Sequence, residues 1–260
     1  MRTGPTGAGK EAMNKRKILG CAALAAALLI GMTSTALAAE KTDRPLLVNG
    51  QNPVPEGYRV ELVTLENGMQ AAKCLQEDLK AMLADCRAAG LDPMICSAYR
   101  TQATQTRLHN NKIARLRAAG YSLAAAKQEA ARWVAAPGTS EHQTGLALDL
   151  VSRNYQVLDG KQAQTPEQQW LMEHCWENGF ILRYPVDKGE ITGIGYEPWH
   201  YRYVGRDYAA AIHESGLCLE EYLARLDQLP AEGTCSRLAW EAAMGKNCDF
   251  HGAAKDGTWI

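Results

Sequence analysis

Several features that mark other classes of protein are absent from this sequence. Lysine and arginine number 28 against 29 aspartates and glutamates. No basic excess is therefore available to neutralise a phosphate backbone, and nucleic acid is not expected as a partner. No two cysteines have C-x-x-C spacing, which argues against a zinc ribbon or a thioredoxin-type site. The H-E-x-x-H signature is also missing, because position 217 is leucine after His213-Glu214.

The first 38 residues differ in kind from the rest of the chain. A basic run at 15–17 precedes an apolar stretch, 18–31, and the sequence Ala36-Leu37-Ala38 has the small-x-small form of a cleavage site. This order predicts a secretory signal peptide over 1–38, with residues 1–12 interpreted as a spurious leader. The apolar stretch is shorter than the roughly 20 residues that a bilayer span needs. We therefore expect no stable membrane span after cleavage, although retention as an anchor stays open.

The cysteines suit an oxidising compartment but do not pair evenly. Cys21 leaves with the signal peptide, so seven of the eight cysteines remain, and at least one thiol must be free or intermolecular. Spacing favours a Cys86–Cys96 disulfide across a helix-to-strand turn and a Cys235–Cys248 disulfide near the C-terminus. The rest of the pairing stays open.

Beyond the signal peptide, three parts are predicted. Residues 39–69 form an N-terminal segment in which turn residues surround a strand-like run, 59–65. Residues 70–229 carry the periodicity of one medium domain. Residues 230–260 form a tail whose role the sequence does not indicate.

Periodicity and capping residues predict short helices and strands in mixed order. The predicted helices are 75–90, 102–118, 123–135, 166–178, 207–214 and 220–228. The predicted strands after 59–65 are 94–98, a short strand from Leu146, 180–184 and 199–204, with a turn at 188–190. The predicted helix caps are Thr101, Ser122 and Thr165, the last with Gln168 in a capping-box arrangement. Because no regular βαβ repeat appears, an α+β fold with a small, largely antiparallel sheet flanked by helices is favoured.

The stretch Ser140–Asp149, S-E-H-Q-T-G-L-A-L-D, brings an imidazole and a carboxylate together on the chain. His142 and Asp149 are seven residues apart, too far for one helical face but suited to a loop ligand and a strand ligand. Gly145 between them lets the backbone turn. About fifty residues later, Glu197-Pro198-Trp199-His200 adds a second imidazole and a second carboxylate. Two histidines and one carboxylate as ligands, an open position for water and a spare carboxylate are the parts of a catalytic zinc site.

These motifs resemble those of the VanY-type zinc D-alanyl-D-alanine carboxypeptidases, which are related to the VanX dipeptidases and the Hedgehog signalling domain. The family pattern S-x-H-x-x-G-x-A-x-D followed by E-x-W-H is matched at every named position. An upstream S-x-x-R-x-x-x-x-Q element is matched by Ser97, Arg100 and Gln105. The resemblance covers roughly residues 70–228 and implies a Hedgehog/DD-peptidase-like fold.

The resemblance also implies roles for individual residues. His142, Asp149 and His200 would bind one Zn²⁺, and Glu197 would act as general base and then as general acid. Arg100 would hold the substrate as a catalytic and binding group, through a carbonyl oxygen or a terminal carboxylate.

Four further residues take supporting parts in this interpretation. Gln105 and Ser140 would add hydrogen bonds to the peptide stem. Trp199 and Tyr201 are expected to pack the walls of the site. The remaining histidines, at 109, 174, 213 and 251, are interpreted as structural.

The resemblance implies a bacterial, extracytoplasmic enzyme that removes the C-terminal D-alanine from peptidoglycan stem peptides, and we expect a monomer. An L,D-carboxypeptidase acting on tetrapeptide stems shares all these motifs and stays an alternative. A VanX-like dipeptidase fits less well, because its substrate is cytoplasmic and this chain is predicted to be exported. A catalytically silent wall-binding module is the alternative of another class, although it would not require Glu197.

Overall fold

The computed structural model describes Met1 and residues 44–228. The predicted signal peptide, the predicted Cys235–Cys248 disulfide, His251 and the predicted tail lie outside the described residues. The chain divides into two units between Pro45 and Leu46, and the described helices and strands all lie in the second unit. None of the described helices is long and apolar enough to cross a membrane.

A four-stranded antiparallel sheet forms the centre of the fold. Its strands are β3 (Pro93–Ser97), β4 (Ala147–Ser152), β5 (Phe180–Leu182) and β6 (His200–Tyr203), in the spatial order β3-β4-β6-β5. A separate hairpin pairs β1 (Leu62–Thr64) with β2 (Gln70–Ala72). The predicted α+β fold with a small antiparallel sheet is confirmed.

Seven helices in the described residues surround the sheet. They are α1 (Gln76–Ala88), α2 (Gln102–Ala118), α3 (Leu123–Ala131), α4 (Pro166–His174), α5 (Gly189–Thr192), α6 (Arg206–Ser215) and α7 (Leu219–Leu226). The helix predicted over 123–135 ends four residues early, and the helix predicted to reach 178 passes into a 3-10 turn at Cys175–Asn178. The turn predicted at 188–190 is the start of the one-turn helix α5.

The predicted N-caps are confirmed, but the capping box is wrong. The side chains of Thr101, Ser122 and Thr165 each accept a hydrogen bond from the backbone amide three residues on. Gln168, however, does not reach back to the cap. Its amide group is buried, donates to the carbonyl oxygen of Leu150 and accepts from the hydroxyl of Tyr201. A core hydrogen bond has replaced the local one.

Apolar side chains cover both faces of the sheet. On one face, Leu148 and Leu150 of β4 pack with Leu79 and Met82 of α1. A second cluster joins β5 to α6 and α7. All six residues of β4 are buried. Because neighbouring residues of a strand point to opposite faces, Asp149 projects away from the face that carries Leu148 and Leu150.

The predicted Cys86–Cys96 disulfide is wrong, since both thiols are free. Cys86 lies in the apolar cluster beneath α1. Cys96 lies in a bulge of β3 between Ile95 and Ser97, outside that cluster. Burial raises the pKa of both thiols to about 12, as expected for structural cysteines.

Candidate metal centre

Strands β4 and β6 place two of the predicted ligands side by side. Asp149 and His200 are directly opposed in the antiparallel register. Nδ1 of His200 lies 3.1 Å from Oδ1 of Asp149, and both side chains are buried. Residues opposed on neighbouring strands hold their side chains about 5 Å apart at Cβ, so the sheet itself sets this contact.

The third predicted ligand enters from the turn before β4. His142 lies in a 3-10 turn, Glu141–Thr144, that ends at Gly145 with a φ of 75°. Nδ1 of His142 lies 2.8 Å from the carbonyl oxygen of Ala98. Because that oxygen can only accept, Nδ1 carries the proton, and Nε2 turns a lone pair toward Asp149, 3.3 Å from Oδ2.

Gly145 is required both by its backbone angle and by its surroundings. A Cβ atom added there would lie 3.0 Å from the backbone nitrogen of Ala72 and 3.2 Å from Leu62. Ala72 cannot withdraw easily, since its amide donates to the carbonyl oxygen of Gly145. The hairpin β1–β2 thus closes against the turn that carries His142.

Gly145→Ala is expected to lower the free energy of unfolding by about 2–4 kcal/mol, of which about 1–2 kcal/mol comes from the positive φ and the remainder from overpacking. Urea unfolding measures the change. Gly57→Ala is the matched control, because Gly57 has a φ of 74° and no atom within 4 Å of the added Cβ. Equal losses in the two variants would show that the contact with Ala72 is unimportant.

The three side chains fit a zinc ion. His142, Asp149 and His200 each offer a ligand atom, these atoms all lie within 4.8 Å of one another, and all three residues are buried. Two imidazoles and one carboxylate form a donor set that zinc takes in catalytic sites. Within residues 44–228, this is the one such group of His, Cys, Asp and Glu.

The electrostatics of the group also suit a cation. Burial lowers the pKa of His142 to about 4, helped by the nearby Arg100 guanidinium, so its imidazole is neutral. Burial alone would raise the pKa of Asp149, but the Arg100 guanidinium and the hydrogen bond from His200 hold it well below its usual range. Burial alone would lower the pKa of His200, whereas the neighbouring carboxylates of Asp149 and Glu141 raise it to about 9. A cation between these groups takes the place of that proton.

Glu197 lies beside the three ligands without belonging to their group. Its Oε2 is 3.8 Å from Nδ1 of His200, and its side chain is buried. Burial raises the pKa of Glu197 to about 8, so its carboxylate is a stronger base than an exposed one. That property suits a group that accepts and returns a proton near neutral pH.

Arg100 reaches the same centre from the other side. Its Nη2 lies 2.6 Å from Oδ2 of Asp149, and its Nε donates to Oγ of Ser97 at 2.9 Å. Gln105 stands behind it, with Oε1 3.5 Å from Nη1 of Arg100 and Nε2 donating to the carbonyl oxygen of Ala135. The motif Ser97, Arg100 and Gln105 is therefore one connected unit. Its role toward substrate stays a prediction.

Of the other predicted site residues, one lies in the apolar core and not at the metal centre. Ser140, two residues before His142, and Trp199, directly before His200, are both buried. Tyr201 is not a wall of the site, because it follows His200 on β6 and points to the opposite face, into the apolar cluster beneath α1. The other three described histidines lie outside the metal group. His109 is hydrogen-bonded to the carbonyl oxygen of Val134, and His174 to the carboxylate of Glu177. His213 stacks on the ring of Trp176.

Sequence reasoning missed a buried charged cluster behind the metal ligands. Glu141, Arg183 and Arg202 are all buried. Arg183 and Arg202 each donate to Oε1 of Glu141, at 2.8 and 2.7 Å. The only local signal was the position of Glu141, directly before His142.

The VanY family model, described as D-alanyl-D-alanine carboxypeptidase, matches residues 68–206. The chain belongs to this family. Among its VanY relatives, a D-alanyl-D-alanine carboxypeptidase of Enterococcus faecalis is 48% identical over 179 residues, which cover 68% of this chain and 65% of that protein. The chain thus spans somewhat less than two thirds of that relative.

Solved structures of VanY enzymes and of an LD-carboxypeptidase resemble this chain in fold and are 34–47% identical to it in sequence. A mutant VanY D,D-pentapeptidase from a VanB-type resistance cassette, in complex with Zn(II), is 46% identical, with a TM-score of 0.63 over 68% of this chain and 97% of that one. VanYB in complex with D-alanine-D-alanine is 47% identical, with the same TM-score over 68% and 96%. The LdcB LD-carboxypeptidase is 34% identical, with a TM-score of 0.60 over 68% and 84%.

Proposed function

We propose that this protein is an exported zinc carboxypeptidase that removes the C-terminal D-alanine from peptidoglycan stem peptides. The observation that carries the proposal is the convergence of His142, Asp149 and His200 beside the buried carboxylate of Glu197. Support comes from the 47% identity to VanYB, whose solved structure holds D-alanine-D-alanine.

The ligands and the base divide the work of peptide hydrolysis. His142, Asp149 and His200 hold the zinc ion. When bound, zinc lowers the pKa of a water molecule from about 15.7 to about 7. The carboxylate of Glu197 would accept a proton from the attacking water as the water oxygen bonds to the carbonyl carbon, and would deliver that proton to the nitrogen of the departing D-alanine as the carbon–nitrogen bond breaks. Glu197 is suited to both steps because it is held beside the ligands rather than used as one of them.

Arg100 supplies the positive charge that a carboxypeptidase needs. The guanidinium is mostly buried, with 16% of the side chain exposed, and Ser97 and Asp149 fix its orientation. In this position it can stabilise charge that develops on the scissile carbonyl oxygen or hold the substrate's free carboxylate. Ser140 and Gln105 would extend this contact to the peptide stem.

Export would bring the enzyme to its substrate. Stem peptides lie outside the cytoplasm, which is where the signal peptide predicted over residues 1–38 would deliver the chain. The enzyme would then act as a monomer, secreted or associated with the cell wall.

Mass spectrometry of muropeptides tests the function. Purified, zinc-loaded protein is expected to remove one alanine from a pentapeptide stem and to leave a tetrapeptide stem intact. A pentapeptide with an amidated C-terminus is the matched control, and it should not be cleaved if Arg100 holds the free carboxylate. Loss of alanine from the tetrapeptide alone would move the activity to the L,D class represented by LdcB. No cleavage of either stem by folded, zinc-bound protein would favour a wall-binding module.

A further inference from the structure

Two buried polar atoms without a hydrogen-bond partner face each other behind the metal ligands. Among residues 44–228, three buried side-chain atoms lack a partner, and two of them are Oε2 of Glu141 and Nε2 of His200. These two atoms lie 3.5 Å apart. At that separation each atom can serve as the other's hydrogen-bond partner, which matters because unpaired polar groups are costly in a protein interior.

Two arginines determine how Glu141 is oriented. Nε of Arg183 and Nη1 of Arg202 both donate to the same oxygen, Oε1 of Glu141, at 2.8 and 2.7 Å. Oε1 is fully used by these two bonds, and Oε2 is left for His200. Oε2 lies 3.5 Å from Nε2 of His200, and a carboxylate oxygen offers a lone pair that accepts a hydrogen bond.

The arginines are in turn held by parts of the chain that are distant in sequence. Nη1 and Nη2 of Arg183 donate to both carboxylate oxygens of Glu220 in α7, at 2.8 and 2.7 Å. Nη2 of Arg202 donates to the carbonyl oxygen of Leu46 at 2.6 Å. Glu220 also accepts from Asn49 at 3.0 Å. Residues upstream of the family match thus help to fix the carboxylate behind the metal centre.

We propose that Glu141 is a positioning residue for the metal, because its Oε2 accepts the Nε2 proton of His200 and so keeps the lone pair of Nδ1 directed at the metal. A histidine ligand binds metal through one ring nitrogen, and the hydrogen bond made by the other selects that nitrogen. For His142 the selection is the reverse, since Ala98 holds its Nδ1 proton and Nε2 is free to bind. The two histidines would bind one ion through different nitrogens.

This inference rests on the zinc assignment and not on the proposed substrate, so it is tested on zinc binding without peptide. Glu141→Gln retains the size of the side chain but replaces the acceptor oxygen that faces His200 with an amide NH₂ donor. The two arginines require an acceptor and therefore keep the amide oxygen. The amide NH₂ is then directed at Nε2 of His200, which can meet it only by losing its proton and moving that proton to Nδ1.

Glu141→Gln is therefore expected to weaken zinc binding by about 10–100-fold, the range seen when the hydrogen-bond partner of a metal ligand is removed. Competition with a chromophoric chelator measures the affinity, and the absorption spectrum of the Co(II)-substituted protein reports the ligand change. Glu220→Gln is the matched control. It removes a carboxylate of the same cluster that accepts hydrogen bonds from Arg183, so its zinc affinity should fall by less than the roughly 10-fold minimum expected for Glu141→Gln.

Three results would overturn the proposal. The first is folded Glu141→Gln protein with unchanged zinc affinity and an unchanged cobalt spectrum. The second is an equal loss of affinity in Glu220→Gln, which would make the effect a structural one. The third is a proton on Nδ1 of His200 in the zinc-loaded original protein, which would exclude the role of Glu141 even if Glu141→Gln fails to fold. Long-range ¹H–¹⁵N spectra measure it, and they are expected to show His200 protonated at Nε2 and His142 protonated at Nδ1.

Discussion

Glu197→Gln is expected to lower kcat on a pentapeptide stem by about 10²–10⁴-fold, the usual contribution of a general acid–base group, while zinc stays bound. The amide is close to the carboxylate in size but cannot accept a proton at the pH of the reaction. The ligand group of His142, Asp149 and His200 does not include position 197, so metal content should be unchanged. Stopped-time assays of released D-alanine, with zinc measured by atomic absorption, check both parts.

A matched control comes from the segment that precedes Glu197. Glu190 lies seven residues upstream in α5 and is exposed, with Arg132 3.6 Å away. Glu190→Gln removes the same charge from the same region and should leave kcat within about 2-fold, because exposed ion pairs contribute little. If Glu197→Gln protein turned over normally, the base would have to be another residue, and the proposed mechanism would be wrong.

The metal ligands could be predicted from the sequence because they lie in or just before strands that local patterns identify. His142 precedes β4 by five residues, Asp149 lies within it, and His200 is the first residue of β6. A glycine turn followed by an apolar run predicts this loop-to-strand geometry from local rules. The pairing of β4 with β6, which opposes Asp149 to His200, is long-range. It could be inferred only through the resemblance to a family.

The charged cluster around Glu141 was not predictable by the same rules. Hydrophobic periodicity identifies a buried face when its residues are apolar, whereas Arg183 and Arg202 in a strand-rich region suggest solvent-facing positions. Both are fully buried because Glu141 pairs with each of them and Glu220 supplies a second carboxylate to Arg183. Burial of such charges depends on partners distant in sequence, and Glu141 is 42 residues from Arg183.

Local patterns also failed where a side chain had a better partner elsewhere. Gln168 fits a capping box by sequence, but Leu150 and Tyr201 take its amide group in the core. Cys86 and Cys96 are suitably spaced for a disulfide, but one lies in the core and the other in a bulge of β3. In both cases tertiary packing decided against the pairing that sequence spacing favoured.

His200→Ala should abolish turnover and weaken zinc binding by about 10²–10³-fold. Structural zinc sites with four protein ligands bind with about 10–16 kcal/mol, so one ligand contributes about 3–4 kcal/mol, and each 1.4 kcal/mol is a tenfold change in affinity. Isothermal titration with zinc measures the loss. The two variants should therefore differ in metal content. Glu197→Gln is expected to keep zinc and lose turnover, whereas His200→Ala is expected to lose both zinc affinity and turnover.

His109→Ala separates loss of a ligand from loss of a buried histidine. His109 is also buried, and its Nδ1 lies 2.7 Å from the carbonyl oxygen of Val134, but it lies outside the metal group. Its replacement should lower stability by about 1–3 kcal/mol, because the half-buried carbonyl of Val134 loses its hydrogen bond, and should leave zinc affinity unchanged. Equal zinc affinities in His200→Ala and His109→Ala would mean that His200 is not a ligand. The centre would then retain only His142 and Asp149, one ligand fewer than catalytic zinc sites use.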